Sequence, residues 1–204
     1  MEAQGELFPD QWLDVLKASD ADVSYFGGFL AREEADRAFA AAAREQYVQE
    51  SITIHGRTHD VPRLTMWYSE DGSTYTYSGI AMQPRSFPPF VREMNARIAR
   101  ETGLYFNSVL INFYRDGNDK VGWHSDDEKE LGDEIHIASV SLGIERVFRM
   151  RHRNDHSRVV DCTLGHGSLL VMRDPTQLHW EHCLPPRKRI AEPRYNLTFR
   201  TIRP

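Results

Sequence analysis

The stretch IASVSLGIERVFRMRHRNDHSRVVDCTLGHGSLLVM (137–172) decides the fold class. It divides into IASVSLG (137–143), RVFRM (146–150), VVDCTL (159–164) and GSLLVM (167–172), short apolar runs parted by glycine, asparagine and aspartate. Such runs suit pleated strands, and their spacing leaves no room for crossover helices. Working outward, SVLINFY (108–114) and RYNLTFRTI (194–202) are of the same kind. Segments 51–54, 61–68 and 74–77 predict further strands, with HGR (55–57) as a hairpin tip. Helices are predicted over 31–46, with acids in the first turn, over 89–101, stopped by Gly103, and over 13–16 after Pro9-Asp10. The fold class is therefore mainly β with flanking helices packed outside an antiparallel sandwich or barrel, rather than a βαβ fold. Residues 1–204 read as a single domain, with 1–50 a helical N-terminal extension.

Composition sets the bounds. The chain has 204 residues, 40% hydrophobic and 27% charged, which is too apolar for a disordered protein. No apolar run approaches the ~20 residues of a membrane helix, and MEAQGELFPD carries acids where a signal peptide carries bases. Two cysteines, Cys162 and Cys183, cannot make a disulfide framework. These features predict an intracellular protein without a membrane partner, cytoplasmic if prokaryotic and nuclear if eukaryotic, acting as a monomer. They exclude a collagen, a coiled coil and a secreted knot. The net charge of −5 hides an asymmetry: residues 1–36 hold nine acids and two bases, whereas 146–204 hold five acids and twelve bases. The basic third can present one positive face to a polyanion, or it can be ordinary solvated surface.

Three segments carry chemistry. In GWHSDDE (122–128), His124 and Asp126 are two apart, so an extended strand turns both to one side. An imidazole and a carboxylate that converge are two ligands of a metal, and HWEHCLP (179–185) offers His179 or His182 as a third. Two histidines and a carboxylate make the facial triad that leaves positions open on Fe(II). A surface pair or a zinc hydrolase site would use the same residues. In RYNLTFR (194–200), Arg194, Asn196, Thr198 and Arg200 share one face and Tyr195, Leu197 and Phe199 the other. Two arginines inside a sandwich require a buried anion, and a dicarboxylate matches guanidinium geometry. Asn112 and Tyr114 of LINFYRDG (110–117) share a face in the same way. A solvated edge strand is the competing explanation for either segment.

The order INFYRDG, GWHSDDE, ASVSLG, HGSLLVM, PTQLHWEHCLP and PRYNLTFR resembles the AlkB-type oxidative demethylases, from about Val61 to Ile202. These are Fe(II)- and 2-oxoglutarate-dependent dioxygenases that repair alkylated nucleobases. PR (62–63), YTYSG (75–79) and HSDDE (124–128) resemble the branch acting on duplex DNA. The resemblance implies a double-stranded β-helix, or jelly roll, over 106–204, preceded by a nucleotide-recognition lid and supporting helix over 51–105. It implies iron on His124, Asp126 and His182, with His179 structural. It implies 2-oxoglutarate held distally by Arg194 and Tyr114 and near its chelating end by Arg200 and Asn112, with Asn196 on the same face. O₂ would be the cosubstrate, and formaldehyde, succinate and CO₂ the products.

A base must leave the stack to reach iron. Tyr75 and Tyr77 are candidates to stack on it, Ser78 to line the pocket, and Asp127 and Glu128 to accept from an exocyclic amine or favour a cationic base such as 1-methyladenine or 3-methylcytosine. Arg63, Arg149, Arg151, Arg153 and the RKR run (187–189) are the phosphate-contact candidates for alkylated DNA or RNA. His55 stands where duplex-active relatives insert an aromatic finger; imidazole is smaller and more polar, so single-stranded DNA or RNA stands beside duplex DNA as substrate. A same-family enzyme of RNA, protein or small molecules is the runner-up, followed by a non-catalytic nucleic-acid-binding jelly roll.

Overall fold

The strand-rich reading has a direct structural counterpart. The computed structural model describes residues 11–54, 56–70, 72, 75–77, 80–82 and 84–203. Among them, eight strands form a major sheet in the order β1 (Trp12–Ala18), β2 (Ala21–Phe26), β12 (Ser168–Arg173), β9 (Ile137–Gly143), β14 (Arg194–Arg200), β7 (Ser108–Tyr114), β4 (Arg57–Ser69) and β3 (Val48–Ile54). A minor sheet runs β11 (Val159–Leu164), β10 (Arg146–His152), β13 (Trp180–Leu184) and β8 (Val121–His124). Neighbours in both sheets are antiparallel, and β5 (Tyr75–Tyr77) pairs separately with β6 (Ile80–Met82). No helix among the described residues is long and apolar enough to cross a membrane.

Period-two alternation divides the interior into two layers. Tyr195, Leu197 and Phe199 of β14, Val109 and Ile111 of β7, and Leu169 and Val171 of β12 face outward to the helices. There they meet Val91, Met94 and Ile98 of α2 (Pro89–Thr102) and Ala35 of α1 (Arg32–Ala42). Leu110, Ile137, Leu170 and Met172 point the other way and pack with Phe148, Met150 and Trp180 of the minor sheet. The helices begin and stop for local reasons. Glu34 accepts from the Ala31 N–H at 2.9 Å at the start of α1, Pro89 opens α2, and Gly103 closes it in the left-handed region at φ 74°.

The structure corrects two expectations. Residues 13–16 are strand, not helix. Leu13 and Leu16 acquire helix-like spacing because β1 pairs with β2 through an irregular register between Asp14 and Leu16, so both leucines still pack inward. Nor do the described residues 11–50 form a helical extension, because β1, β2 and the start of β3 are strands of the major sheet and α1 is the one helix among them. The short helix α3 (Thr176–His179), which leads into β13, also escaped the sequence reading.

Candidate metal centre and cofactor pocket

The site lies between the sheets, where an apolar layer gives way to polar side chains. His182 of β13 sits directly across from His124 at the end of β8, with ring centroids 4.3 Å apart. Asp126 completes the group. Its Oδ1 is 3.9 Å from His124 Nε2, and one ligand atom from each of the three residues lies within 4.8 Å of the others. His124 Nδ1 meets the Gly122 carbonyl at 2.9 Å, which turns Nε2 toward Asp126. The pair converges as expected, but not through an extended strand. β8 ends at His124, and Asp126 is set instead by its backbone N–H donating to Gln177 Oε1 at 3.0 Å and by Arg200 Nη2 donating to its Oδ1 at 2.9 Å.

Asp126 and His182 have the protonation a divalent metal requires. Burial raises the Asp126 pKa, but Arg200 and then the two histidines overcome it and hold the carboxyl at about 2. Burial, followed by His124, lowers His182 to about 3, so its imidazole is neutral. His182 Nδ1 is buried with no hydrogen-bond partner among the described residues. A carboxylate and two imidazoles with open space beside them fit iron(II).

Beside the ligands runs a polar floor made by strand register. Ser141 of β9, Asn196 of β14, Asn112 of β7 and Thr65 of β4 lie in one cross-strand row, and Arg194 is paired with Tyr114. Asn112, Tyr114, Arg194, Asn196 and Arg200 all line the cavity that holds the three candidate ligands, together with Thr198. Arg194 is 1% exposed; its Nη2 donates to Ser141 Oγ at 2.9 Å and Asn196 Oδ1 at 2.7 Å, and its guanidinium lies 5.4 Å from the Tyr114 ring. Its Nε has no partner among the described residues, and burial depresses its pKa to about 10. A buried cation with an unused donor, facing a metal triad, fits a dicarboxylate.

Arg146 of β10, in the minor sheet, brings its guanidinium 5.9 Å from the Tyr114 ring; it is 1% exposed and donates to the carbonyls of Asp116, Asp119 and Pro185. It ties the 115–119 turn to the loop after β13. The same junction is closed by Gly117 N–H to Ile190 O at 2.9 Å and Arg187 N–H to Gly117 O at 2.6 Å. Arg146, Gln177, Ser139, Ser141 and Thr198 were not singled out from sequence. Only Thr198 had a visible signal, the phase it shares with Arg194 and Arg200.

The remaining candidates are more dispersed. Arg63 is not on the surface: it is 7% exposed and its Nε donates to Asn112 Oδ1 at 2.7 Å. It shares the inward phase of Thr65, two residues on, and so joins the floor. Arg149, Arg151 and Arg153 do follow one outer face, but each already has a carboxylate. Arg149 pairs with Asp161 at 2.6 Å, Arg151 with Glu181, and Arg153 with Asp127 at 2.9 Å. Arg151 also stacks over Trp123, 4.1 Å from the ring centroid. Asp127 is thus exposed but engaged, and Glu128 is half-buried before a 3-10 turn, Lys129–Leu131. Arg187, Lys188 and Arg189 are exposed and form no ion pair among the described residues. His179 stacks parallel to His152 with centroids 6.4 Å apart, away from the triad. His55, Ser78 and the side chains of Tyr75 and Tyr77 lie outside the described residues.

Comparison with known proteins gives a consistent answer. Mouse (Mus musculus) DNA oxidative demethylase ALKBH2 is 40% identical over 99% of this chain and 88% of its own. Human (Homo sapiens) ALKBH2 is 40% identical over 93% of this chain and 68% of its own, and human alpha-ketoglutarate-dependent dioxygenase alkB homolog 3 is 41% identical over 89% and 66%. The solved structure of OsALKBH1 matches the fold with a TM-score of 0.62 at 19% identity, covering 88% of this chain and 97% of that one. The model of the 2OG-Fe(II) oxygenase superfamily matches residues 22–200, and the chain belongs to that family.

Proposed function

We propose that this enzyme oxidatively demethylates N-alkylated nucleobases, of the 1-methyladenine and 3-methylcytosine type, in DNA. The observation that carries the reading is the seam between the sheets, where a His124–Asp126–His182 triad stands beside two buried arginines, Arg194 and Arg200. The names of the relatives at about 40% identity support the substrate class. Iron(II) with 2-oxoglutarate and O₂ supplies oxidation of an N-methyl carbon, with succinate and CO₂ as co-products and formaldehyde lost from the base.

The chain's own residues bind and orient. Arg194 grips the distal carboxylate of the cosubstrate while Tyr114 and Asn196 fix the guanidinium. Arg200 neutralises Asp126 and borders the chelating end, with Asn112 opposite. Phe148, Met172 and Leu184 close the cavity with apolar walls that exclude water. Asp127 and Glu128 are assigned to the base, where negative charge favours a cationic methylated base, and Tyr75, Tyr77 and Ser78 are assigned to it from the sequence pattern alone. Phosphate contact falls first to Arg187, Lys188 and Arg189, since a phosphate at Arg149, Arg151 or Arg153 must displace a carboxylate. His55 is assigned to base extrusion from its place in the sequence.

The test is anaerobic loading with Fe(II) and 2-oxoglutarate, then air, with methylated single- and double-stranded DNA and methylated RNA. Formaldehyde, succinate and restored base are measured together, with His124→Ala as control. Repair that tracks succinate and vanishes in the variant is the expected result. Succinate without repair of any oligonucleotide would overturn the substrate assignment.

A further inference from the structure

Asp126 bears the carboxylate of the triad, yet no strand holds it, because β8 stops two residues earlier. Three consecutive side-chain tethers replace the ladder. Ser125 Oγ donates to the Trp180 carbonyl at 3.0 Å, the Asp126 N–H donates to Gln177 Oε1 at 3.0 Å, and Asp127 pairs with Arg153 at 2.9 Å. The outer two involve solvent-exposed or half-buried groups, where water competes. Only the middle tether is interior at both ends, with Asp126 and Gln177 each 1% exposed.

Its amide cannot turn freely. Nε2 donates to Met172 Sδ at 3.4 Å, which directs Oε1 at the Asp126 backbone. The helix that carries it is braced from behind, since Thr176 Oγ1 accepts the Asp22 N–H at 2.9 Å and donates to the Asp22 carbonyl at 3.3 Å. A rigid chain of contacts thus runs from β2 through Thr176 and Gln177 to the backbone of the carboxylate ligand. Arg200 competes for that carboxylate from the major sheet, bonding the same Oδ1 that faces His124. With the main chain free to rotate, Asp126 could follow Arg200 and swing out of the triad.

We infer that Gln177 is a positioning residue for the metal centre, fixing the main chain of Asp126 so that its carboxylate serves the metal rather than Arg200 alone. The inference rests on the triad being the metal site. Removing a hydrogen-bond partner behind a ligand lowers metal affinity by roughly 10–100-fold.

Anaerobic Co(II) titration of the full chain, by calorimetry and by the visible absorption of bound Co(II), reads this directly, alongside the melting temperature of each metal-free variant. Gln177→Met removes the acceptor at similar volume and should weaken Co(II) binding by about 10–100-fold. Gln177→Glu keeps an oxygen in place and should restore affinity to within about threefold, with the wild-type absorption band. Gln177→Asn withdraws the oxygen by one methylene and gives an intermediate loss if the Met variant does not fold. Wild-type Co(II) affinity in Gln177→Met or Gln177→Asn, with only the melting temperature lowered, would show a packing role and overturn the inference. A Glu variant no better than the Met variant overturns it too. Wild-type protein that binds Co(II) no better than His124→Ala overturns the metal assignment itself, and the inference with it.

Discussion

Replacing Arg194 by methionine should separate stability from cosubstrate binding. In the cofactor-free protein this guanidinium is 1% exposed and burial depresses its pKa to about 10. By linkage, holding the cation inside costs about 3 kcal/mol at pH 7, a penalty that lifts only as pH rises through the folded value. Arg194→Met removes that penalty but forfeits the hydrogen bonds to Ser141 and Asn196, worth about 1 kcal/mol each net. The two nearly cancel, and Asn196 Oδ1 still accepts from Ser139 Oγ at 3.0 Å. The metal-free melting temperature should therefore move by less than about 5 °C.

Cosubstrate binding should respond very differently, because truncating one member of a buried hydrogen-bonded charge pair costs about 3–5 kcal/mol, or more than about 100-fold in Kd. Thermal melting with Mn(II), with and without 2-oxoglutarate, reads both effects. At about 100 times its Kd the cosubstrate adds about 2.7 kcal/mol to the wild type, or roughly 5–10 °C. At the same concentration the variant should gain less than about 2 °C. A variant that keeps the wild-type gain would refute the assignment of Arg194 to the distal carboxylate. A fall of more than about 10 °C without ligand would refute the charge argument.

Other outcomes follow from packing. A Cβ on Gly117 would lie 1.8 Å from the Arg187 carbonyl oxygen, so Gly117→Ala must part the 115–119 turn from the 187–190 loop. With two backbone hydrogen bonds lost, stability should fall by about 2–4 kcal/mol and tryptic cleavage at Arg187, Lys188 and Arg189 should quicken; unchanged melting and proteolysis would show that the junction is looser than it looks. Leu197, 0% exposed beneath the helices, should cost about 2–5 kcal/mol when cut to alanine in a urea titration, with little change in Co(II) Kd because its side chain faces away from the site. Cys162 is half-buried and Cys183 buried, and burial pushes the Cys162 thiol up to about 12 and raises Cys183 as well, so both should react with Ellman's reagent at pH 8 far more slowly in the native than in the unfolded protein. Rapid labelling of the native protein would contradict that burial.

What could be read in advance followed the range of the interactions. Strands 108–114, 137–143 and 159–164 were legible to the residue because their apolar alternation is local. The same period exposed the inward arginines of RYNLTFR. Arg63 was misread because the phase of β4 was not carried across Pro62. The partners of Arg149, Arg151 and Arg153 could not be seen, since Asp161, Glu181 and Asp127 reach them through strand register and loop closure over 12, 30 and 26 residues. Gln177 was invisible for a related reason. A glutamine between a threonine and a leucine carries no local mark of burial, and its role exists only once α3 lies against the loop after β8.

The position of β14 carries one more consequence. It is the last of the described strands along the chain, yet it occupies the middle of the major sheet, between β7 and β9. Until it arrives, those two strands present unsatisfied edges to each other across an open slot, the kind of surface that recruits other chains. A chain that has folded as far as β13 but has not yet placed β14 is therefore at its most adhesive. In it Arg194 and Arg200 have not yet reached the cavity beside His124, Asp126 and His182, so completion of that cavity and burial of those edges are one event.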